Sequence, residues 1–411
     1  MLSEEAEKSP KSPRQCLIPG LPDEIALDCL VRVPFEFHSA LRSVCRRWHH
    51  ILTDHSFYRL RKASSNGEDF ICLVHALVPN PDAASDPDPN REKEDDKTFS
   101  SRYAPPAYGL TLYNLHRATW HRIPPPPQFP AGIPTFSQCV AVGGKLVLLG
   151  GWDPATLESV ADVYVCDLER GGGWRRGARM STARSFFACA AAAGPATVYV
   201  AGGHDNHKNA LRSAEAYDVE TDMWRALPPL AEERDECCGV AGEGGLFWVV
   251  SGYGTDSQGR FSSGAECYDP DQQRWTTVDG VWPFASASPV SALCWAAPQK
   301  ADKIPGSELN TLIPNFPSLW LFDSSSKSVR EFDGRNKVWK SLTSMPEFVS
   351  SSLCGSLIEG RNASEVFVMG STTSVGGHQA CVLDLRCRKW AQIDTPKEFS
   401  GFVYSVASFH L

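Results

Sequence analysis

The side chains with most to offer chemically are Trp152 and Asp153, Arg184, His204 and Asp205, Arg234 and Asp235, and Tyr253. Arginine, tryptophan and tyrosine dominate binding hot spots, and the charged residues beside them supply directional hydrogen bonds. Arg184-Ser-Phe and Arg234-Asp-Glu recur at the same point ahead of successive apolar runs. Each arginine therefore either faces a partner or pairs with a carboxylate of a neighbouring repeat, and the sequence leaves both open. His204 and His207 flank Asp205 and Asn206, a spacing that offers donors to zinc or copper. Their polar surroundings read instead as a solvated loop, so no metal or other cofactor is expected. No Ser/His/Asp order with a nucleophile elbow, phosphate-cradling glycine loop or paired-carboxylate motif is present. Only a site assembled across distant segments would permit catalysis. The chemistry at hand is recognition, and the chain is expected not to be an enzyme.

These residues belong to a repeat. Gly150-Gly151 leads to Asp167 and Trp174, Gly202-Gly203 to Tyr217-Asp218 and Trp224, Ser251-Gly252 to Tyr268-Asp269 and Trp275, and Met369-Gly370 to Leu383-Asp384 and Trp390. Tyr113-Asn114 with Trp120 and Phe332-Asp333 with Trp339 keep the second half of the pattern. Paired glycines at the end of an apolar strand allow positive φ and close approach of a neighbouring chain. The Tyr and Trp provide broad rigid surfaces, and the Asp suits a hairpin turn. A period of roughly 50 residues is that of one four-stranded propeller blade, and the units closely resemble kelch repeats. That resemblance implies an all-β, six-bladed kelch propeller over residues 68–411. Gly401 to Phe409 holds one strand more than blade six needs and blade one is one short, so this C-terminal strand is expected to close the ring. In such propellers the loops between blades and between second and third strands gather on one face, which makes Trp152, Asp153, Arg184, His204, Asp205, Arg234, Asp235 and Tyr253 the expected client-binding face.

Residues 16–62 read as a small all-α segment. Pro22 suits a first helical position with Asp23 and Glu24 at the positive end of the dipole. Leu41, Val44, Cys45, Trp48, Ile51 and Leu52 recur at helical intervals, and a third short helix contains Phe57, Tyr58 and Leu60. Leu21-Pro22-Asp23, Ile25, Leu30, Val44-Cys45-Arg46-Arg47-Trp48 and Phe57 resemble an F-box. So short a segment does not bury a full core alone. In that family the partner is the Skp adaptor, which links to a cullin scaffold, and the resemblance implies contacts through Leu21, Pro22, Ile25, Leu30, Val44, Cys45 and Trp48. Cys29 stands where many F-boxes carry a bulkier aliphatic, so moderate adaptor affinity is expected.

The remainder sets bounds. A formal charge of -8 over 411 residues leaves no electrostatic footprint for nucleic acid or an anionic membrane. No apolar run or amino-terminal leader is evident, so cytoplasmic or nuclear residence is expected. The cysteines Cys139, Cys189, Cys267, Cys294 and Cys354 lie on apolar strands and read as buried free thiols. Adjacent Cys237 and Cys238 are expected on opposite faces of a strand. Residues 1–15 and an insertion at 79–101 within blade one are polar enough to be disordered.

An F-box followed by a kelch propeller implies a substrate receptor of an SCF ubiquitin ligase, with the chemistry left to its partners. Gly143 to Pro154, Ala183 to Phe187 and Gly202 to Glu215 further resemble the plant kelch F-box proteins that send phenylalanine ammonia-lyase for degradation. Phenylpropanoid output would then be the process controlled. Relatives of the same architecture target cytokinin response regulators or chalcone synthase, and a kelch scaffold independent of any ligase is the reading from another class.

Overall fold

A computed structural model of the chain describes residues 16–78, 106–192, 196–291, 293–295, 319–334, 336–358, 364–373 and 377–411. The expectations for residues 1–15 and for the insertion at 79–101 lie outside these. Among the described residues no helix is long and apolar enough to cross a membrane.

The N-terminal unit contains four helices, α1 (Asp23–Val31), α2 (His38–Val44), α3 (Arg46–Leu52) and α4 (His55–Ala63). The helical stripe around Val44 and Trp48 is thus split into two helices, giving four where the sequence suggests three. Cys45 is the cause: its backbone is extended, at φ -159 and ψ 165, and its Sγ accepts from the Trp48 amide as the cap of α3. Pro22 caps α1 from one residue outside it. Asp23 accepts from the Leu17 amide at 2.8 Å, and the Trp48 indole donates to the Leu17 carbonyl at 2.8 Å, which ties down the entering chain. At the centre His38 is fully enclosed between the Tyr58 hydroxyl at 3.1 Å and the Val33 carbonyl at 3.0 Å.

The rest of the described chain forms six antiparallel four-stranded sheets, a six-bladed β-propeller. Blade one contains β1 (Asp69–Ala76), β2 (Tyr108–Asn114) and β3 (Thr119–Ile123). Blade two is β4 (Gln138–Val142), β5 (Lys145–Leu149), β6 (Val163–Asp167) and β7 (Gly173–Arg176). Blade three is β8 (Ala188–Ala191), β9 (Thr197–Ala201), β10 (Ala214–Asp218) and β11 (Met223–Leu227). Blade four is β12 (Cys238–Ala241), β13 (Phe247–Val250), β14 (Ala265–Asp269) and β15 (Arg274–Val278). Blade five is β16 (Leu293–Trp295), β17 (Leu319–Asp323), β18 (Ser328–Asp333) and β19 (Val338–Ser344). Blade six is β20 (Val349–Leu357), β21 (Glu365–Thr372), β22 (His378–Asp384) and β23 (Lys389–Gln392). The last strand, β24 (Val403–His410), pairs with β1 and completes blade one from the inside, with Phe409 stacked on Phe70 at 5.5 Å.

Each repeated residue has a definite task. The aspartate ending a third strand folds the hairpin that follows: Asp218 accepts from the amides of Glu220 and Thr221, and Asp269 and Asp384 do the same for their own turns. In every blade the residue just before the outer strand has positive φ: Ala118, Gly172, Asp222, Gln273, Lys337 and Arg388. The tryptophan that follows donates its indole N–H to a carbonyl of the connector from the preceding blade. Trp120 reaches Asp394, Trp174 reaches Pro124, Trp224 reaches Ala178, Trp275 reaches Pro228, Trp339 reaches Val281 and Trp390 reaches Ser344, all at 2.7–3.0 Å. Apolar clusters lie between blades, as where Tyr217 and Val219 of blade three meet Val147 and Val163 of blade two. Cys237 joins the cluster between blades three and four while Cys238 packs on that between four and five, opposite faces as the sequence suggests.

The glycine pairs sit where chains cross. Gly202 and Gly203 have φ of +67 and +80, and the Gly203 amide donates to the Arg234 carbonyl of the next blade at 2.8 Å. A Cβ on Gly202 would strike that same carbonyl. Gly172 also has positive φ, +74, but nothing lies near it. Gly172→Ala is therefore expected to cost about 1 kcal/mol from backbone strain alone, and Gly202→Ala about 3 kcal/mol or more because the strands must part. Urea midpoints of the two variants check this, and equal losses would mean that the close approach is not what Gly202 serves. A second expectation concerns His38, whose pKa is held down to about 3 chiefly by burial, with Arg61 adding to it. Unfolded, it binds a proton below pH 6.5. The helical unit is thus expected to keep the full contribution of neutral His38 above that pH and to lose it as pH falls toward 3, by at most about 1.4 kcal/mol per unit. Hydrogen exchange of α4 amides against pH measures the slope, which His38→Gln should flatten.

Candidate functional site

The blade-to-blade connectors and the loops between second and third strands carry the residues singled out from the sequence. The 50-residue repeat places Thr135, Ser185 and Asp235 at one position, each bridged to the residue after Gly-Gly or, in the third case, Ser251-Gly252: Trp152, His204 and Tyr253. One residue further along, Phe136, Phe186 and Glu236 all have positive φ, between 49° and 58°. Trp152, His204, Asp235 and Tyr253 come together with Phe186, Lys208 and Glu236 around a cavity of about 200 Å³. Phe136 and Tyr404 extend its aromatic wall, with Phe136 4.8 Å from Phe186 and 5.2 Å from Tyr404. Phe136, Phe186 and Glu236 escape a reading by residue type because they differ, although their spacing alone would have found them.

A chain of hydrogen bonds runs beneath this wall from blade to blade. The Trp152 indole donates to Ser185 Oγ at 2.8 Å, and Ser185 Oγ lies 2.9 Å from His204 Nε2. His204 Nδ1 is 2.9 Å from both oxygens of Asp235, which fixes its proton there and leaves Nε2 as the acceptor. Ser185, His204 and Asp235 thus have the connectivity of a nucleophilic triad, assembled across two blades. Ser185 nevertheless has no exposed surface from which to attack, and Lys208 Nζ shares Nε2 at 3.1 Å. The arrangement is suited to holding rings in place. His204 is therefore not on a solvated loop as its sequence suggests; His207, whose amide donates to Asp205, is. Among the described residues no three His, Cys, Asp or Glu side chains converge as a metal site.

Four expected face residues do other work. Arg184 and Arg234 are fully buried, at 0% and 1% exposure. Arg184 donates to the Gly202 and Ser213 carbonyls and to Glu215 at 3.0 Å; Arg234 donates to the Ser251 carbonyl and to Glu266 at 2.9 Å. Each glutamate uses its other oxygen to accept a connector amide, Ser181 or Ala231. Both pairs lie within one blade, not between neighbours. Burial pulls the Arg184 pKa down, and the Glu215 charge opposes it. Asp153 and Asp205 accept amides of their own loops, from Ala155 and Thr156 and from His207 and Asn209, and do not line the cavity.

In the helical unit Leu21, Ile25 and Val44 are exposed, the last two at 53% and 59%, and Pro22 and Cys45 are exposed too. Phe37, which the sequence reading omits, joins them at 50%. Trp48 is half-buried, and Leu30 lies inside the unit because its side of α1 faces the other helices; it does not reach the surface.

The family profile described as F-box domain matches residues 18–60, and that described as Kelch motif matches residues 185–231. F-box/kelch-repeat protein At2g44130 of Arabidopsis thaliana is 41% identical over 432 aligned residues, covering 100% of both chains. F-box/kelch-repeat protein SKIP20 of the same plant is 38% identical over 431, covering 96% of this chain and 97% of the other. A third, At1g80440, is 37% identical over 260, covering 63% and 68%.

The buried pair gives a test of the arginine assignment. Arg184→Met is expected to destabilise the propeller by about 3–5 kcal/mol by leaving the Glu215 charge buried without its cation, and adding Glu215→Leu should restore most of that loss. Thermal and urea denaturation measure both. An arginine aimed at a client would leave stability unchanged in the single variant.

Proposed function

Because the chain belongs to the F-box/kelch-repeat proteins, we propose that it is the substrate-recognition subunit of an SCF ubiquitin ligase. An F-box joined to kelch repeats fits such an adaptor, and the F-box domain implies binding to the Skp subunit. The observation that carries the reading is the uncovered apolar set Leu21, Ile25, Phe37 and Val44 on a helical unit too small to leave such surface without a partner. Catalysis belongs to the assembled ligase. This subunit holds a client so that its lysines meet the conjugating enzyme at high local concentration. The client is phenylalanine ammonia-lyase, and phenylpropanoid output is the process controlled; resemblance of the stretches 143–154, 183–187 and 202–215 to receptors of that enzyme supports the choice. The setting is the cytoplasm or nucleus.

Ile25→Ala with Val44→Ala removes exposed side chains only, so the fold should persist. Skp-adaptor affinity is expected to fall at least about tenfold, from the loss of two apolar anchors. Calorimetry with purified adaptor reads this, and unchanged affinity overturns the docking assignment. Expressed in plant cells, the same full-length variant should retain phenylalanine ammonia-lyase without ubiquitinating it. Retention of chalcone synthase or a response regulator would leave the ligase role standing and replace the client. Unimpaired cellular function of the variant would favour a ligase-independent scaffold.

A further inference from the structure

The cavity at the propeller mouth has a definite charge preference. Its walls are the rings of Trp152, Phe186, His204 and Tyr253, and its acids are Asp235 and Glu236. His204 donates to Asp235 from Nδ1, which steadies the carboxylate without removing its charge. Glu236 accepts from the Tyr253 hydroxyl at 3.1 Å through one oxygen only. Aromatic faces beside carboxylates favour a cation, because ring quadrupole and anionic charge act in the same sense.

A cation already sits there. The Lys208 ammonium lies 3.9 Å from the centroid of the Trp152 ring and 3.1 Å from His204 Nε2. Lys208 comes from the loop after Gly203, has φ of +64, and is an exposed residue, so its side chain has room to withdraw. Partial burial pulls its pKa down, and the Asp235 charge opposes the shift. The loops and connectors around the cavity also carry Asp153, Asp205, Glu232, Glu233 and Asp256, which draw positive charge toward it.

We propose that this cavity is a recognition pocket for the ammonium or guanidinium group of a client lysine or arginine, and that Lys208 is an intramolecular stand-in which the client side chain displaces. The inference rests on reading the propeller as a client receptor and adds the chemistry of what it grips. A volume of about 200 Å³ admits one extended side chain, so the client presents a basic residue on a projecting segment.

The test uses full-length protein with 15N-labelled tryptophan, following the Trp152 indole resonance, assigned with Trp152→Phe. The probes are N-acetyl-lysine methylamide, N-acetyl-arginine methylamide and the uncharged N-acetyl-norleucine methylamide. The two cationic probes should shift the resonance saturably and the norleucine probe should not. Lys208→Met should tighten cationic binding about tenfold by removing the internal competitor, and Glu236→Gln should weaken it several-fold. Equal response to norleucine, or no saturable shift with either wild type or Lys208→Met, overturns the pocket. Should the probes fail while adaptor-dependent client ubiquitination persists, the pocket falls and the receptor reading stands. Should the probes bind while the adaptor does not, the receptor reading falls alone.

Discussion

The position of every blade depends on an indole N–H directed at the connector leaving the blade before it. Six tryptophans do this around the ring, and the bond from Trp120 to Asp394 joins the first blade to the last connector. An indole suits the task because it buries a large apolar area yet has one donor at its edge, which must find an acceptor when enclosed. A connector carbonyl held in this way fixes where the chain enters the next inner strand. That entry point in turn sets the places of Thr135, Ser185 and Asp235 at the mouth. The residues at the mouth are thus positioned by hydrogen bonds made at the outer strands.

Charge is handled differently. The Arg184–Glu215 and Arg234–Glu266 pairs each close within a single blade, so these two buried ion pairs do not have to align across two sheets. Between blades the polar links near the mouth are backbone bonds, such as those from the Gly151 and Gly203 amides to the Arg184 and Arg234 carbonyls, together with the chain through Ser185 and His204. Backbone links tolerate substitution of the side chains around them. Buried ion pairs do not, since either member left alone is a costly uncompensated charge.

Much of this is written in the sequence. The Trp and Tyr-Asp spacing, the glycine pairs and the surplus C-terminal strand state the number of blades and the manner of closure, because each is a local requirement of the backbone or of one large side chain. The site is less legible. Arg184 and Arg234 look like hot-spot residues until Glu215 and Glu266 are noticed at separations of 31 and 32, a nearly constant interval that signals an internal pair. Leu30 and Val44 both read as adaptor contacts, yet Leu30 is enclosed within the helical unit and Val44 is exposed. Lys208 on the Trp152 ring depends on a positive-φ loop that the sequence does not specify.

The shared backbone of Phe136, Phe186 and Glu236 bears on how such a protein changes over evolutionary time. A left-handed conformation at these positions follows a bridged residue each time, and neither phenylalanine nor glutamate is chosen for it. The conformational cost is lowest for glycine, asparagine and aspartate and highest for β-branched side chains, and it varies little among the unbranched ones between. Phe136 and Phe186 also touch neighbouring rings at the mouth, so what a replacement costs there depends on those contacts as well as on the backbone. After gene duplication, copies of one ring can therefore diverge at this position by exchange among unbranched side chains that the surrounding rings accommodate.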